Sequence, residues 1–201
     1  MKQAILFTVF LTAINFAQAT PGKNISSKKN YDDTIAGISS LTRDMLSDIM
    51  NVVGLKANFE LKEAKVKNIE ASISHRKRYI LYNPVFITWI NGTTKNKWAA
   101  MALLAHEVGH HLNGHTIKKS GSKPNLELEA DEFAGFVLHK LGASLEQSQE
   151  VMKYIANIQQ SATHPARASR MMAIQTGWNK AMDHSSIAAT QKNTQGKNGT
   201  D

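Results

Sequence analysis

The sequence predicts an α+β fold that is mainly helical, with a small antiparallel sheet of two or three strands beside a buried central helix. Apolar residues recur at helical spacing in the first and last thirds of the chain. Between them, residues 58–82 form short alternating runs that are typical of strands. The run from Trp98 to Ala105 contains only small and apolar residues, as expected for a helix in the centre of a domain.

The first nineteen residues predict a signal peptide. A basic start precedes a mostly apolar run from Ala4 to Phe16, and Ala17-Gln18-Ala19 supplies a small-residue cleavage signature. The apolar run is too short to span a bilayer as a mature helix, which argues against the alternative of a retained N-terminal anchor. We expect an exported protein, periplasmic or secreted. Residues 20–33 are polar and predict a flexible lead-in.

The first part of the domain predicts one helix followed by strands. Apolar residues at helical spacing indicate a helix over residues 34–53, which Gly54 ends. Two or three short strands follow within residues 58–82 and end at Asn83-Pro84. Asn91-Gly92 is a second turn signal ahead of the central helix.

The second part of the chain predicts helices only. The central helix is expected at about residues 96–112, with Asn113-Gly114 ending it. Three further helices are predicted at residues 126–141, 144–158 and 165–182. Residues 185–201 have low complexity and predict a disordered tail. One domain therefore spans residues 34–184, long enough to bury a sizeable core.

Composition excludes several classes of function. The chain has no cysteine, so disulfides and thiol chemistry are excluded. Its net charge of +8 becomes +7 once the leader with Lys2 is removed (+8 − 1). These charges are dispersed and lack interleaved aromatic residues, so no nucleic-acid partner is expected, whereas weak contact with anionic membrane surfaces is compatible with them. We expect no transmembrane segment in the mature chain.

The segment His106-Glu107-Val108-Gly109-His110 is an HExxH pattern. Residues four apart share one face of a helix, so His106 and His110 can bind the same zinc ion. Glu107 can then act as general base toward a zinc-bound water. The pattern therefore predicts one catalytic Zn²⁺ per chain, which needs a third protein ligand and one open position.

Two candidates compete for the third ligand. His115 falls one residue away from the offset of the longer metzincin pattern, so we expect a polar residue just past the helix end. The better candidate is the acidic segment from Glu127 to Asp131. Glu127 and Asp131 share a helix face, whereas Glu129 points roughly the opposite way. One carboxylate can ligate zinc while the other accepts the free N–H of a ligand histidine, and spacing leaves open which does which.

These motifs resemble those of the HtpX-like and CAAX-prenyl-protease-type zinc metallopeptidases, a gluzincin family. The resemblance covers about residues 83–177 and includes the HExxH pattern, the Glu-x-x-Ala-Asp pattern and a His-Pro segment with Arg170 after it. It implies a zincin-type metallopeptidase domain with Glu127 as third ligand and Asp131 supporting the site. It also implies that His164 lies near the active site. The transmembrane helices and helical-repeat extension of some members are missing, so a minimal soluble catalytic domain is expected.

The expected function is zinc-dependent hydrolysis of peptide bonds in unfolded or envelope proteins, so the expected partners are protein or peptide substrates. Glu107 would activate the zinc-bound water, and His164 would stabilise the oxyanion, with Arg170 supporting it or acting alone. Residues 79–82 could form an edge strand that pairs with an extended substrate. Two alternatives stay open: a non-hydrolytic, chaperone-like zinc module, against which Glu107 argues, and a secreted protease that acts on external proteins.

Overall fold

The computed structural model describes residues 5–6, 25–116, 123–156, 158–161 and 164–195. Most of the predicted signal peptide, part of the predicted lead-in, residues 117–122 and the end of the predicted tail lie outside the described residues. The described chain is mainly helical with one small sheet, so the α+β class is confirmed.

The helices are α1 (Ile25–Val53), α2 (Pro84–Thr94), α3 (Trp98–Leu112), α4 (Pro124–Lys140), α5 (Leu145–Gln149), α6 (Met152–Ile155) and α7 (Arg167–Gln195). The strands are β1 (Ile5–Leu6), β2 (Glu60–Glu63), β3 (Ile69–Ser74) and β4 (Lys77–Tyr82).

The sheet has the strand order β1-β3-β4-β2 and is mixed. β3 and β4 form an antiparallel hairpin, and β1 pairs antiparallel with β3. β2 runs parallel to β4, with Glu60 opposite Tyr79 and Glu63 opposite Tyr82. The prediction of a purely antiparallel sheet is therefore wrong for β2. The hairpin inserts β4 between β2 and β3, and two reversals of direction bring β4 back parallel to β2.

This order also corrects the predicted role of residues 79–82. They were expected at a sheet edge, but β4 has neighbours on both sides and so is a central strand. Its backbone groups are already used in two ladders, so an extended peptide cannot pair with it. Any substrate pairing would have to use another strand.

The helices differ from prediction in four places. α1 begins at Ile25, inside the segment 20–33 for which the sequence predicts a flexible lead-in. Asn91-Gly92 lies inside α2 rather than in a turn. This helix begins where the Asn83 side chain accepts from the Val85 amide, and it buries an apolar face, so burial outweighs the local turn preference. The helix predicted at 144–158 is divided into α5 and α6 and ends at Ile155. α7 continues to Gln195, into the segment for which the sequence predicts disorder.

The core is built around α3, in which every residue from Ala99 to His111 is buried. α3 contacts α2, α4 and β3, so its small and apolar side chains are covered all round. The HExxH pattern at the end of this helix therefore lies within a continuously buried stretch. Across the described ranges, no helix combines the length and the apolar character that crossing a bilayer requires.

α4 and α7 approach each other closely at two glycines. A Cβ added to Gly135 would overlap the carbonyl oxygen of Ile174, and one added to Gly177 would overlap that of Glu132. Only a residue without a side chain allows the two backbones to come this close. The contact matters for the site because α4 and α7 carry several of its residues.

Replacing Gly177 with alanine is expected to destabilise the domain by about 2 kcal/mol or more, because the new methyl group overlaps backbone that cannot rotate away. Urea unfolding followed by circular dichroism measures the change. The matched control is Gly92→Ala in α2, where an added Cβ meets nothing within 4 Å. That change should stabilise by about 0.5–1 kcal/mol through helix propensity. Equal stabilities for the two variants would contradict the close approach.

Candidate metal centre

The N-terminus of α3 is held by two asparagine side chains. Asn96 Oδ1 accepts from the Trp98 amide at 3.0 Å, and Asn91 Oδ1 accepts from the Ala100 amide at 3.2 Å. These contacts satisfy amide groups that the first turn of a helix leaves without partners. These contacts fix the start of α3. Because the helix is continuous, they also help to fix the position of the histidines near its end.

His106, His110 and Glu127 bring three ligand atoms together in the interior, and we call this group the triad. The two Nε2 atoms lie 3.0 Å apart. Glu127 Oε2 lies 3.5 Å from His106 Nε2, and Oε1 lies 3.6 Å from His110 Nε2. All three residues are buried, and the group could hold a metal ion.

The geometry of the triad fits a small divalent cation. Nitrogen and oxygen ligands at zinc distances in a tetrahedral arrangement lie about 3.3 Å apart, close to the separations found here. The partners of both histidines favour a proton on each Nδ1, so in the neutral form of the two imidazoles each Nε2 would present a lone pair toward the other and toward a carboxylate. Three acceptors that converge in a buried site repel one another unless a positive charge lies between them.

The charge states of the triad favour such a positive charge. Burial opposes protonation of His106, but the Asp131 and Glu127 carboxylates outweigh it and raise its pKa to about 10. Burial and the His106 charge lower the pKa of His110 to about 3. Burial works against ionisation of Glu127, yet the two imidazoles hold its pKa well below the usual range. One positive charge is thus preferred among the three groups, and a metal ion would supply it as the His106 proton leaves.

His106 is oriented by an ion pair that is itself buried. Its Nδ1–H donates to Asp131 Oδ1 at 2.8 Å. Arg170 contacts the same carboxylate at both oxygens, with Nε 2.6 Å from Oδ2 and Nη2 2.7 Å from Oδ1. Both members of the pair are almost completely buried. The structure therefore places Asp131 behind the first histidine of the triad and Arg170 behind Asp131.

His110 is oriented differently, through a second histidine. His110 Nδ1 lies 2.9 Å from His115 Nδ1, and His115 Nε2 lies 2.9 Å from Glu129 Oε2. His115 lies just past the end of α3 and outside the triad, as expected, but it is buried and in contact with His110. Glu129, expected to point away from the site, reaches it through His115. Neither residue belongs to the triad, but both lie in contact with it or one step behind it.

Glu107 is anchored to the sheet. Its Oε2 accepts from the Ala71 amide at 2.7 Å, so β3 holds the carboxylate beside α3. Burial raises the pKa of Glu107 to about 8, and the charge of Glu127 contributes to the rise. Glu70, next to Ala71, is a second buried carboxyl whose pKa burial raises. A cation in the triad would favour ionised Glu107 by direct attraction.

Gly109 allows α4 to approach the HExxH turn. A Cβ at this position would lie 3.0 Å from Phe133 Cδ1 and 3.3 Å from Ala130 Cα. The small residue therefore lets the two helices pack closely beside the triad. This packing brings Glu127 of α4 within ligand distance of the histidines on α3.

Two further histidines outside the triad are buried. His164 is buried, and its backbone is tied to Ser161, whose hydroxyl accepts from the His164 amide at 3.0 Å. His111 is buried against Phe59 and lies 2.9 Å from the Tyr79 carbonyl oxygen. It therefore joins α3 to the sheet and has a structural role.

The residues of the site divide into those that the sequence places there and those that the structure adds. His106, His110 and Glu127 form the triad, with Asp131 and Arg170 directly behind it. His115, Glu129 and the Ala71 amide are additions from the structure. No protein-family model, curated protein or solved structure matches this chain.

Proposed function

We propose that this chain is an exported zinc-dependent endopeptidase that hydrolyses peptide bonds in unfolded or envelope proteins. The observation that carries the proposal is the buried triad with a second carboxylate, Glu107, beside its first ligand on α3. Two histidines and one glutamate are a ligand set of catalytic zinc sites. A purely structural site has no use for a base beside it, which argues against a non-hydrolytic module. The motif resemblance to HtpX-like peptidases supports the same conclusion.

The residues of the site divide the chemistry between them. Bound zinc supplies Lewis acidity, which acidifies water and polarises a carbonyl oxygen. Glu107 takes the proton of the attacking water and returns it to the nitrogen of the leaving amine. Because the Ala71 amide holds Oε2, we assign this proton to Oε1. Asp131 keeps His106 in the tautomer that turns its Nε2 lone pair toward the ion.

His164 and Arg170 receive different roles. We assign His164, which is buried ahead of α7, as the donor to the oxyanion of the tetrahedral intermediate. Arg170 directs Nε and Nη2 at Asp131, so we assign it to holding that carboxylate rather than to direct contact with substrate. Its effect on the reaction then passes through Asp131 and His106.

Export and substrate class rest on the sequence. The predicted signal peptide argues for action in the periplasm or outside the cell, and envelope proteins are the substrates within reach there. A secreted protease acting on external proteins would use the same residues. Comparing cleavage products in the two compartments separates these possibilities.

The zinc site itself predicts about one Zn²⁺ per chain, lost on chelation. His106→Ala and Glu127→Gln should each empty the site, because each removes one of three protein ligands. Elemental analysis of purified, reconstituted protein measures the metal content. His139→Ala is the matched control, since this histidine on α4 contacts Trp178 and lies outside the triad. Less than about half a zinc per chain in the parent protein would refute the site.

A further inference from the structure

The end of α3 carries a backbone motif that places His115 against His110. The His115 amide donates to the His110 carbonyl at 3.0 Å, and the Gly114 amide donates to the His111 carbonyl at 3.3 Å. Gly114 has φ of +72°, the left-handed conformation that glycine adopts readily. These two bonds and this conformation define a Schellman motif, in which the residue after the glycine folds back onto the last turn. That residue is normally apolar, and here it is a histidine.

The two side chains then form a directed chain of hydrogen bonds. His110 must keep a lone pair on Nε2 to ligate a metal, so its proton lies on Nδ1. His115 Nδ1, 2.9 Å away, accepts that proton's hydrogen bond. The proton of His115 therefore lies on Nε2, from which it donates to Glu129 Oε2 at 2.9 Å. With the His110 proton on Nδ1, only one placement of the His115 proton lets both hydrogen bonds, His110 to His115 and His115 to Glu129, have a donor and an acceptor.

The geometry points to a positioning role for the His115–Glu129 pair: it orients His110 and selects its tautomer, and thereby sets how tightly the triad binds Zn²⁺. This inference rests on the proposed zinc site. Asp131 orients His106 in the corresponding way, through one direct hydrogen bond to its Nδ1. The two ligands are thus supported unequally, one by a buried ion pair and the other by a histidine that leads to a carboxylate at the surface.

His115 and Glu129 differ in burial, and this difference predicts how much zinc affinity is lost when each is replaced. His115 is 2% exposed at its side chain, whereas the Glu129 side chain is 55% exposed. The buried contact between the two histidines cannot be replaced by water without opening the helix end. The outer contact with Glu129 is partly solvated and weaker. We therefore expect the larger loss of zinc affinity from His115 and the smaller from Glu129.

The experiment measures the Zn²⁺ dissociation constant of the full chain by competition with a chromophoric chelator. His115→Leu removes both links and should weaken zinc binding by about 10- to 100-fold. Glu129→Ala removes the outer link and should weaken it by about threefold to tenfold. His115→Asn keeps an acceptor where Nδ1 was but cannot reach Glu129, so it should resemble Glu129→Ala. The visible spectrum of the Co²⁺-loaded protein reports the ligand geometry independently.

A double variant distinguishes positioning from a general structural effect. If Glu129 acts only through His115, then adding Glu129→Ala to His115→Leu should cause no further loss of affinity. The matched control is Glu132→Ala, on the same helix but paired with Lys180. It should leave zinc affinity unchanged. If His115→Leu fails to fold, His115→Asn and Glu129→Ala still test the chain of contacts.

Each outcome has one interpretation. Unchanged zinc affinity in His115→Asn and Glu129→Ala, or additive losses in the double variant, would overturn the inference while leaving the zinc site intact. Equal losses in Glu132→Ala would overturn it as well. A parent protein that binds no zinc would refute the proposed function and this inference together. Because the measurement is metal binding, the absence of a suitable peptide substrate does not affect it.

Discussion

Replacing Glu107 with glutamine is expected to lower peptidase activity by about 10³-fold while leaving zinc content unchanged. Glutamine has nearly the same shape, and its amide oxygen can accept from the Ala71 amide as the carboxylate does. The triad loses none of its three members. Only the ability to take a proton from water disappears. The measurement is kcat/KM on an unfolded casein-like substrate, normalised to bound zinc.

The control for this change is Glu146→Gln on α5, the same substitution at an exposed glutamate, which should retain full activity. Zinc-loaded Glu107→Gln that keeps more than about a tenth of the parent activity would show that another group accepts the proton. Comparing cleaved proteins in the exported fraction of cells that carry the parent or this variant would then identify substrates. Products present with both proteins would come from another protease.

The parts of the fold that are predictable from the sequence depend on local patterns. The central helix was expected at about residues 96–112 and is found at Trp98–Leu112. Its apolar run, its end at Gly114 and the alternating runs of β3 and β4 all act over a few residues. These local preferences agree with the final structure because the tertiary contacts in these elements favour the same conformation.

The differences arise where the fold joins distant segments. Local sequence patterns do not determine that β2 pairs with β4 rather than with β3. The strand order depends on which edge of the β3–β4 hairpin lies against β2. Asn91-Gly92 is a turn signal in isolation, yet α2 buries Phe86, Ile87 and Ile90 against the core. The apolar face extends the helix through the turn signal, an example of packing overriding propensity.

The site divides in the same way. Spacing brought His106 and His110 to one face and left Glu127 and Asp131 open as alternatives, and the structure places Glu127 with the triad and Asp131 on His106 Nδ1. The contact of His115 with His110 was not predicted, because a helical-wheel argument ends where the helix ends. The signal was present nevertheless. A glycine that ends a helix in a Schellman motif brings the next residue back toward the last turn, which is the position of His115.

Replacing Arg170 with methionine is expected to destabilise the domain by about 3–5 kcal/mol, because the Asp131 carboxylate would remain buried without its counter-charge. The guanidinium contacts both carboxylate oxygens, and neither side chain is more than 2% exposed. Urea unfolding of the metal-free protein in chelator measures this loss without a contribution from bound zinc.

The decisive comparison adds Asp131→Asn to Arg170→Met. Asparagine removes the buried charge but keeps an oxygen that accepts from His106 Nδ1–H, so the double variant should recover about half of the lost stability. Its zinc affinity should fall by about 10- to 100-fold, because a neutral amide supports the histidine less well than a carboxylate does. If Arg170 instead acted directly on substrate, the single variant would keep its stability and lose kcat, and the second substitution would rescue nothing. A double variant less stable than either single variant would likewise contradict the ion pair as the function of Arg170, since the two side chains would then contribute independently to the fold.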